Sequence, residues 1–305
     1  MTAPYPSGEQ HAISFGEQTA VVVEVGGGLR EYRVDGFDVV DGYAPEQLAT
    51  AARGAPLMPW PNRLRDGRYR FDGVDYQLPL TEPAQRNALH GLARWSAWQR
   101  SQHAPERVVM THLLHPQPGY PFTLGLSADY SLSAAGLKVV LTGRNLGPRP
   151  APFGAGQHPY VRVARGLIDG ARVRSPAALR LRTDGRQIPV GEPVPVRGKY
   201  DLRRSPRLGP RVLDTAFTGL ERDPDGLARV VMTGPQRRVT VWLDAGFEHL
   251  MLFTGDTLAG AERRRGLGVE PMTCAPNAFQ SGLGLRVLEP GQELTASWGI
   301  TVEKP

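Results

Sequence analysis

Apolar and polar residues alternate along much of the chain with a period of two, which sets every second side chain on one face of an extended strand. In LGLSADYSL, Leu124, Leu126, Ala128, Tyr130 and Leu132 share a face, and in LTASWGITV the same is true of Leu294, Ala296, Trp298, Ile300 and Val302. Both stretches predict half-buried antiparallel strands. Shorter runs of the same kind predict strands at 21–25, 68–71, 108–114, 137–141, 237–243 and 250–255. Helical periodicity is weak everywhere, with one short turn expected over PEQLATAAR, residues 45–53. The fold class is therefore all-β.

The 36 glycines and 28 prolines fall between strands rather than in one linker, and no segment repeats. A single domain spanning residues 1–305 is expected, with the Pro-, Gly- and Arg-rich stretch 183–210 as a long surface excursion. A chain of 305 residues buries a sizeable core without cross-links. No run approaches the roughly 18 apolar residues of a membrane span, so no membrane partner is expected. The opening MTAPYPSGEQHAISFGEQ has no basic start followed by an apolar core, which predicts no cleaved signal and a cytoplasmic location. A single cysteine, Cys274, excludes an internal disulfide and a thiolate-cluster metal site.

A net charge of +6 raises the question of an anionic polymer as partner. The basic residues are spread out, however, and the longest runs, ERRRG (262–266) and LRRSPR (202–207), carry no interleaved aromatics. Only three of the 36 basic residues are lysine, which reads as compositional bias toward arginine. Nucleic acid is not an expected partner.

Four segments hold an ionisable or polar residue inside an apolar or Gly/Pro-rich frame: PWPNRL (59–64), NALHG (87–91), GAGQHPYV (154–161) and LGVEPMTCAPNAF (267–279). Glu270, flanked by Val269 and Pro271 just after a short apolar strand, must either face water or accept hydrogen bonds in a cavity. His158 fits an ordinary turn as well as a site. His90 and His158 are conceivable metal ligands, but no Cys cluster, HxH or HExxH spacing accompanies them, so no metal and no cofactor is expected.

Taken in order, these segments resemble the aldose 1-epimerase (mutarotase) family, over most of the chain. The resemblance rests on Asn62-Arg63, His90-Gly91, His158 before Pro-Tyr, Asp214 in VLDTAFTGL, and Glu270 in the late EP…NAF segment. It implies a β-supersandwich of large antiparallel sheets with a sugar cleft. It also implies a cofactor-independent isomerase that interconverts the α and β anomers of a free aldohexose, a small-molecule partner. Opening the ring takes a proton from the anomeric hydroxyl and gives one to the ring oxygen. A glutamate ionised near pH 4.3 and a histidine titrating near pH 6.5 suit the two tasks. The resemblance assigns Glu270 as base and His158 as acid, with Asn62, Arg63, His90 and Asp214 binding substrate. Trp95 and Trp98 divide between core packing and pocket wall. Val161 stands where many members carry another aromatic residue, which leaves the sugar open. Hexose-6-phosphate epimerases share the fold, and here Arg65, Arg68 or the 203–207 loop would supply cations for a phosphate. A sugar-binding protein without turnover is the remaining alternative.

Overall fold

The computed structural model describes residues 5–303, so the first four residues of the stretch read for a signal, and the last two of the chain, lie outside it. Its largest sheet has eight antiparallel strands in the spatial order 172–174, 228–233, 238–243, 293–303, 136–145, 124–133, 107–114 and 99–104. The long central strands follow the alternation in the sequence. Leu124, Leu126, Ala128, Tyr130 and Leu132 are all buried, while the residues between them are half-exposed. Ala296, Trp298 and Ile300 are buried and Leu294 and Val302 half-buried. The hairpin between strands 124–133 and 136–145 turns over Ala134 and Ala135 into Gly136, whose φ is +101° and where a Cβ would meet the Ile300 carbonyl oxygen at 2.1 Å. Glycine is therefore required there.

A six-stranded antiparallel sheet runs in the order 160–161, 267–272, 249–253, 214–220, 177–180 and 194–195. A four-stranded sheet of 10–15, 18–23, 29–34 and 37–38 opens the chain. One continuous apolar core draws on all three, from Ile13 through Tyr130, Phe217 and Val269 to Ile300. This architecture is the expected all-β sandwich of large sheets. Within the core Gln157 is fully hydrogen-bonded. Its amide donates to the Tyr130 hydroxyl (2.9 Å) and the Gly54 carbonyl (3.1 Å), and its Oε1 accepts from Trp298 Nε1 (2.9 Å). A buried amide with every partner met fixes its backbone firmly, and the next residue is His158.

Three local expectations differ. Residues 45–53 form turns, not a helix, because Ala51 and Ala52 both adopt left-handed φ (49° and 55°), incompatible with a right-handed helix. The excursion 183–210 is not merely superficial: Ile188, Val196, Leu202 and Leu208 are buried, and Val194–Pro195 adds an edge strand to the six-stranded sheet. Glu270 lies within strand Leu267–Met272 rather than after a strand. Every residue of that strand is buried, so no alternation marks it in the sequence.

Candidate active site

Strand Leu267–Met272 points Glu270 and Met272 to one side and Val269 and Pro271 to the other, as pleating requires. Met251 on the adjacent strand pairs with Glu270, and Asp214, the first residue of its strand, pairs with Phe253. The six-stranded sheet thus presents Glu270, Met251, Phe253 and Asp214 to a cavity of about 170 Å³. Asn62, His90, Arg94 and His158 from turns and loops, Arg63 from the start of a short strand, and Tyr160 from the sheet's own edge strand complete the lining. All six residues singled out from the sequence line this one cavity.

Inside it, His158 Nε2 lies 3.2 Å from Glu270 Oε1, and both side chains are buried. The His158 ring stacks on Tyr160 with centroids 4.8 Å apart and meets the His90 ring edge-on at 5.3 Å. Burial pushes the Glu270 carboxyl well above its ordinary range; the Asp214 charge adds to this and Arg63 opposes it. Burial pulls the His158 imidazole down to about 3, and Arg53, Arg94 and Arg63 reinforce the shift. These environments differ from the unperturbed values assumed from the sequence. Both shifts favour the uncharged forms, so the arrangement that fits the 3.2 Å contact is a neutral pair in which the Glu270 carboxyl O–H donates to a neutral His158 imidazole. Glu270 Oε2 and His158 Nδ1 are buried without a protein partner.

His90 has φ +62° and sits in a reciprocal clasp with Asn62. Its ring Nδ1 accepts the Asn62 backbone N–H at 3.2 Å. Burial, and then the neighbouring His158, lower its pKa well below the usual value. Asn62 itself, at φ +59°, uses its side-chain Oδ1 to accept the Arg63 N–H at 2.9 Å, so much of its work is to hold this turn. Arg63 opens the short strand Arg63–Arg65. Its guanidinium is clamped by Glu82 through two nitrogens (2.9 and 3.0 Å) and stands 3.7 Å from Asp214. Burial raises the Asp214 carboxyl, with Arg63 opposing. Asn277 fastens this wall to the far end of the chain. Its N–H donates to the Arg63 carbonyl (2.6 Å), and its Oδ1 accepts from the Arg65 N–H (3.0 Å), across 212 residues.

Several contributors were not singled out in the sequence: Glu82, Arg94, Tyr160, Met251 and Phe253. Tyr160 stood two residues after a chosen histidine and Arg94 four residues after His90, but neither carried a local signal of its own. The tryptophans separate. Trp98 is fully buried and donates to the Ala93 carbonyl at 3.0 Å, whereas Trp95 is half exposed and neither lines the cavity. The cations proposed for a phosphate are elsewhere: Arg65 pairs with Asp184 (2.6 Å), Arg68 with Gln77, and Arg203 with Asp201, and none reaches the cavity. Among the described residues no group of three or more His, Cys, Asp or Glu is disposed to hold a metal ion. No helix among them is long and apolar enough to cross a membrane.

The sequence model of the family described as aldose 1-epimerase matches residues 10–301. The chain belongs to the aldose 1-epimerase family. It is 33% identical over 293 residues to the uncharacterized protein YihR of Escherichia coli (strain K12), covering 96% of this chain and 92% of that one. A galactose mutarotase of Rattus norvegicus is 28% identical over 214 residues, covering 67% of this chain and 60% of the rat protein. Among solved structures, the GalM/aldose epimerase homologue of C. elegans superposes with a TM-score of 0.86 at 16% identity, covering 97% of this chain and 99% of that one. A putative aldose 1-epimerase of Escherichia coli K12 does so with a TM-score of 0.83 at 22% identity, covering 97% and 99%. The β-supersandwich fold of this epimerase family is thereby common to all three chains.

Proposed function

We propose that the chain, as one domain, is a cofactor-independent aldose 1-epimerase that interconverts the α and β pyranose forms of an aldohexose. The observation that carries this reading is the 3.2 Å contact between His158 and Glu270 inside a cavity that also holds His90, Arg63 and Asp214. Mutarotation needs only two proton transfers, one from the O1 hydroxyl and one to the ring oxygen. The neutral pair and the ion pair of Glu270 carboxylate with His158 imidazolium contain the same number of protons. Moving one proton across the contact therefore arms a base and an acid together, without exchange with solvent. Glu270 then takes the O1 proton and His158 protonates the ring oxygen as the C1–O5 bond breaks. Rotation about C1–C2 and reclosure give the other anomer, and the reverse transfers restore the pair.

His90 supports this reading through its tautomer. Because Nδ1 accepts a backbone N–H, the ring proton is on Nε2, which makes His90 a neutral hydrogen-bond donor for the ring oxygen. Arg63, held rigid by Glu82, and Asp214 would take the hydroxyls farther from C1. The test is exchange NMR of α- and β-aldohexoses with and without the protein. Saturable sugar binding with no acceleration of anomer exchange would make the chain a binding protein instead.

A further inference from the structure

Arg63 reaches the cavity from a frame of hydrogen bonds that continues well outside it. Glu82 takes the Nε–Nη2 edge of its guanidinium, at 2.9 and 3.0 Å, and Asp214 stands 3.7 Å from Nη2. Two carboxylates thus compete for one cation, and Glu82 holds it by hydrogen bonds. A glutamate side chain has several rotatable bonds, so keeping it in one geometry costs entropy that other contacts must offset. Asn87 supplies those contacts. Its amide donates to Glu82 Oε2 at 2.8 Å, and the two residues exchange backbone bonds, Glu82 N–H to the Asn87 carbonyl (3.0 Å) and Asn87 N–H to the Glu82 carbonyl (3.1 Å).

Asn87 is itself fully buried and held from a remote part of the chain. Its amide also donates to the Arg186 carbonyl at 3.1 Å. The Arg186 guanidinium reaches back over the 82–87 turn and donates to the carbonyls of Gln85 and Arg86, both at 2.7 Å, and to Asp66 at 3.1 Å. Arg186 belongs to the excursion 183–210, and its own loop is fixed. Asp184 Oδ1 accepts the Arg186 and Ile188 N–H groups (2.9 and 3.1 Å), Asp184 Oδ2 accepts from Arg65 Nη2 at 2.6 Å, and Ile188 is buried. An unbroken run of bonds therefore leads from Arg186 through Asn87 and Glu82 to Arg63. Of these four residues, Arg63 alone lines the cavity.

Resting on the epimerase reading, we infer that Asn87 and Arg186 are positioning residues of the sugar site, acting through Glu82 to hold the Arg63 guanidinium off Asp214 and ready for a sugar hydroxyl. Once Glu82 is loosened, the guanidinium closes on Asp214, and the resulting ion pair occupies both groups that a sugar would use. The loss falls on binding, because Arg63 and Asp214 take hydroxyls away from C1 while the proton transfers belong to Glu270 and His158. It therefore raises KM and leaves kcat nearly unchanged. A brace that served folding alone would lower the melting temperature and leave the KM of the folded protein as it was.

The experiment measures kcat and KM by exchange NMR, for the aldohexose that the wild type turns over best, in Asn87→Asp and Arg186→Gln, each alone and combined with Arg63→Lys. Asn87→Asp keeps the size and the acceptor 3.3 Å from Arg186 Nη2, but turns the donor that faces Glu82 into an acceptor. Its KM should rise about 10- to 100-fold with kcat within about twofold. Arg186→Gln changes a partly exposed side chain, carries the test alone if Asn87→Asp does not fold, and should raise KM about 3- to 10-fold. In the Arg63→Lys background either change should add less than about twofold, since its target is gone. Independently of turnover, the Arg63 Nε–H signal, identified by its absence from Arg63→Lys, should exchange with water at least about 10-fold faster in both variants. An unchanged KM or an unchanged Nε–H exchange rate in folded Arg186→Gln, or a full effect in the Arg63→Lys background, overturns the proposal and leaves the epimerase reading intact. No acceleration of any aldohexose by the wild type overturns both.

Discussion

Asn62 and His90 hold each other by two backbone-linked bonds: the Asn62 N–H reaches His90 Nδ1 at 3.2 Å, and the His90 N–H reaches the Asn62 carbonyl at 2.9 Å. A protonated Nδ1 would set two donors against each other. His90 is therefore expected to stay neutral with its proton on Nε2 well below pH 6.5, in line with the downward shift imposed by burial. Long-range ¹H–¹⁵N spectra of the imidazoles report the tautomer directly; an Nδ1–H form at pH 7 would remove the donor assigned to the ring oxygen.

Replacing the base separates turnover from folding. Glu270→Gln keeps the volume and loses the proton acceptor, so anomer exchange should slow by about 10²- to 10⁴-fold while sugar binding survives. In the wild type, activity requires the one proton shared with His158. It should fall as pH rises through the Glu270 pKa, which burial places above the ordinary carboxylate range. That alkaline limb should be missing from whatever activity the Gln variant retains. Wild-type rates in a folded Glu270→Gln would end the assignment.

The His158 imidazole also links stability to pH. Its folded pKa, about 3, is below the unfolded value of 6.5. Above pH 6.5 the ring is neutral in both states and the contribution is fully present. As pH falls from 6.5 toward 3, the unfolded chain takes a proton the folded one refuses, and stability is lost. Replacing the residue removes that loss. Between pH 7.5 and 4.5, His158→Gln should therefore gain about 2 kcal/mol relative to wild type in urea unfolding. A parallel pair of stability curves would contradict it.

Arg63 and Asp214 should behave differently, although each begins a strand. Arg63→Ala strips Glu82 of a two-nitrogen clamp in a half-buried setting, so about 2–3 kcal/mol of stability should go with the activity. Asp214→Asn leaves Arg63 paired with Glu82, and should cost activity with a much smaller change in melting temperature. Equal thermal shifts in the two variants would show that Glu82 is not the principal partner of Arg63.

The reach of the sequence can be traced residue by residue. The strand carrying Tyr130 was legible because one face is buried and the other half-exposed, which writes a period of two into the chain. The strand carrying Glu270 was not, because both faces are covered. PEQLATAAR has helical composition, yet tertiary contacts prevail: Arg53 is buried against Asp41, and Ala51 lines the cavity in a left-handed turn. The six site residues came from the order of short segments, not from any one of them. Glu82 and Arg94 were missed since what distinguishes them is a position in space, which spacing along the chain does not encode.

The bonds from Asn277 to the strand of Arg63 carry one more consequence, for the time course of folding. They join positions 212 or more residues apart, and the Gln157–Trp298 bond beneath His158 spans 141. Contacts so remote in sequence form late, after the entropy of closing long loops has been met. A ribosome must release nearly the whole chain before the cavity has both walls. The first appearance of anomer exchange during refolding would thus serve as a clock for the closure of one of the longest loops among the described residues.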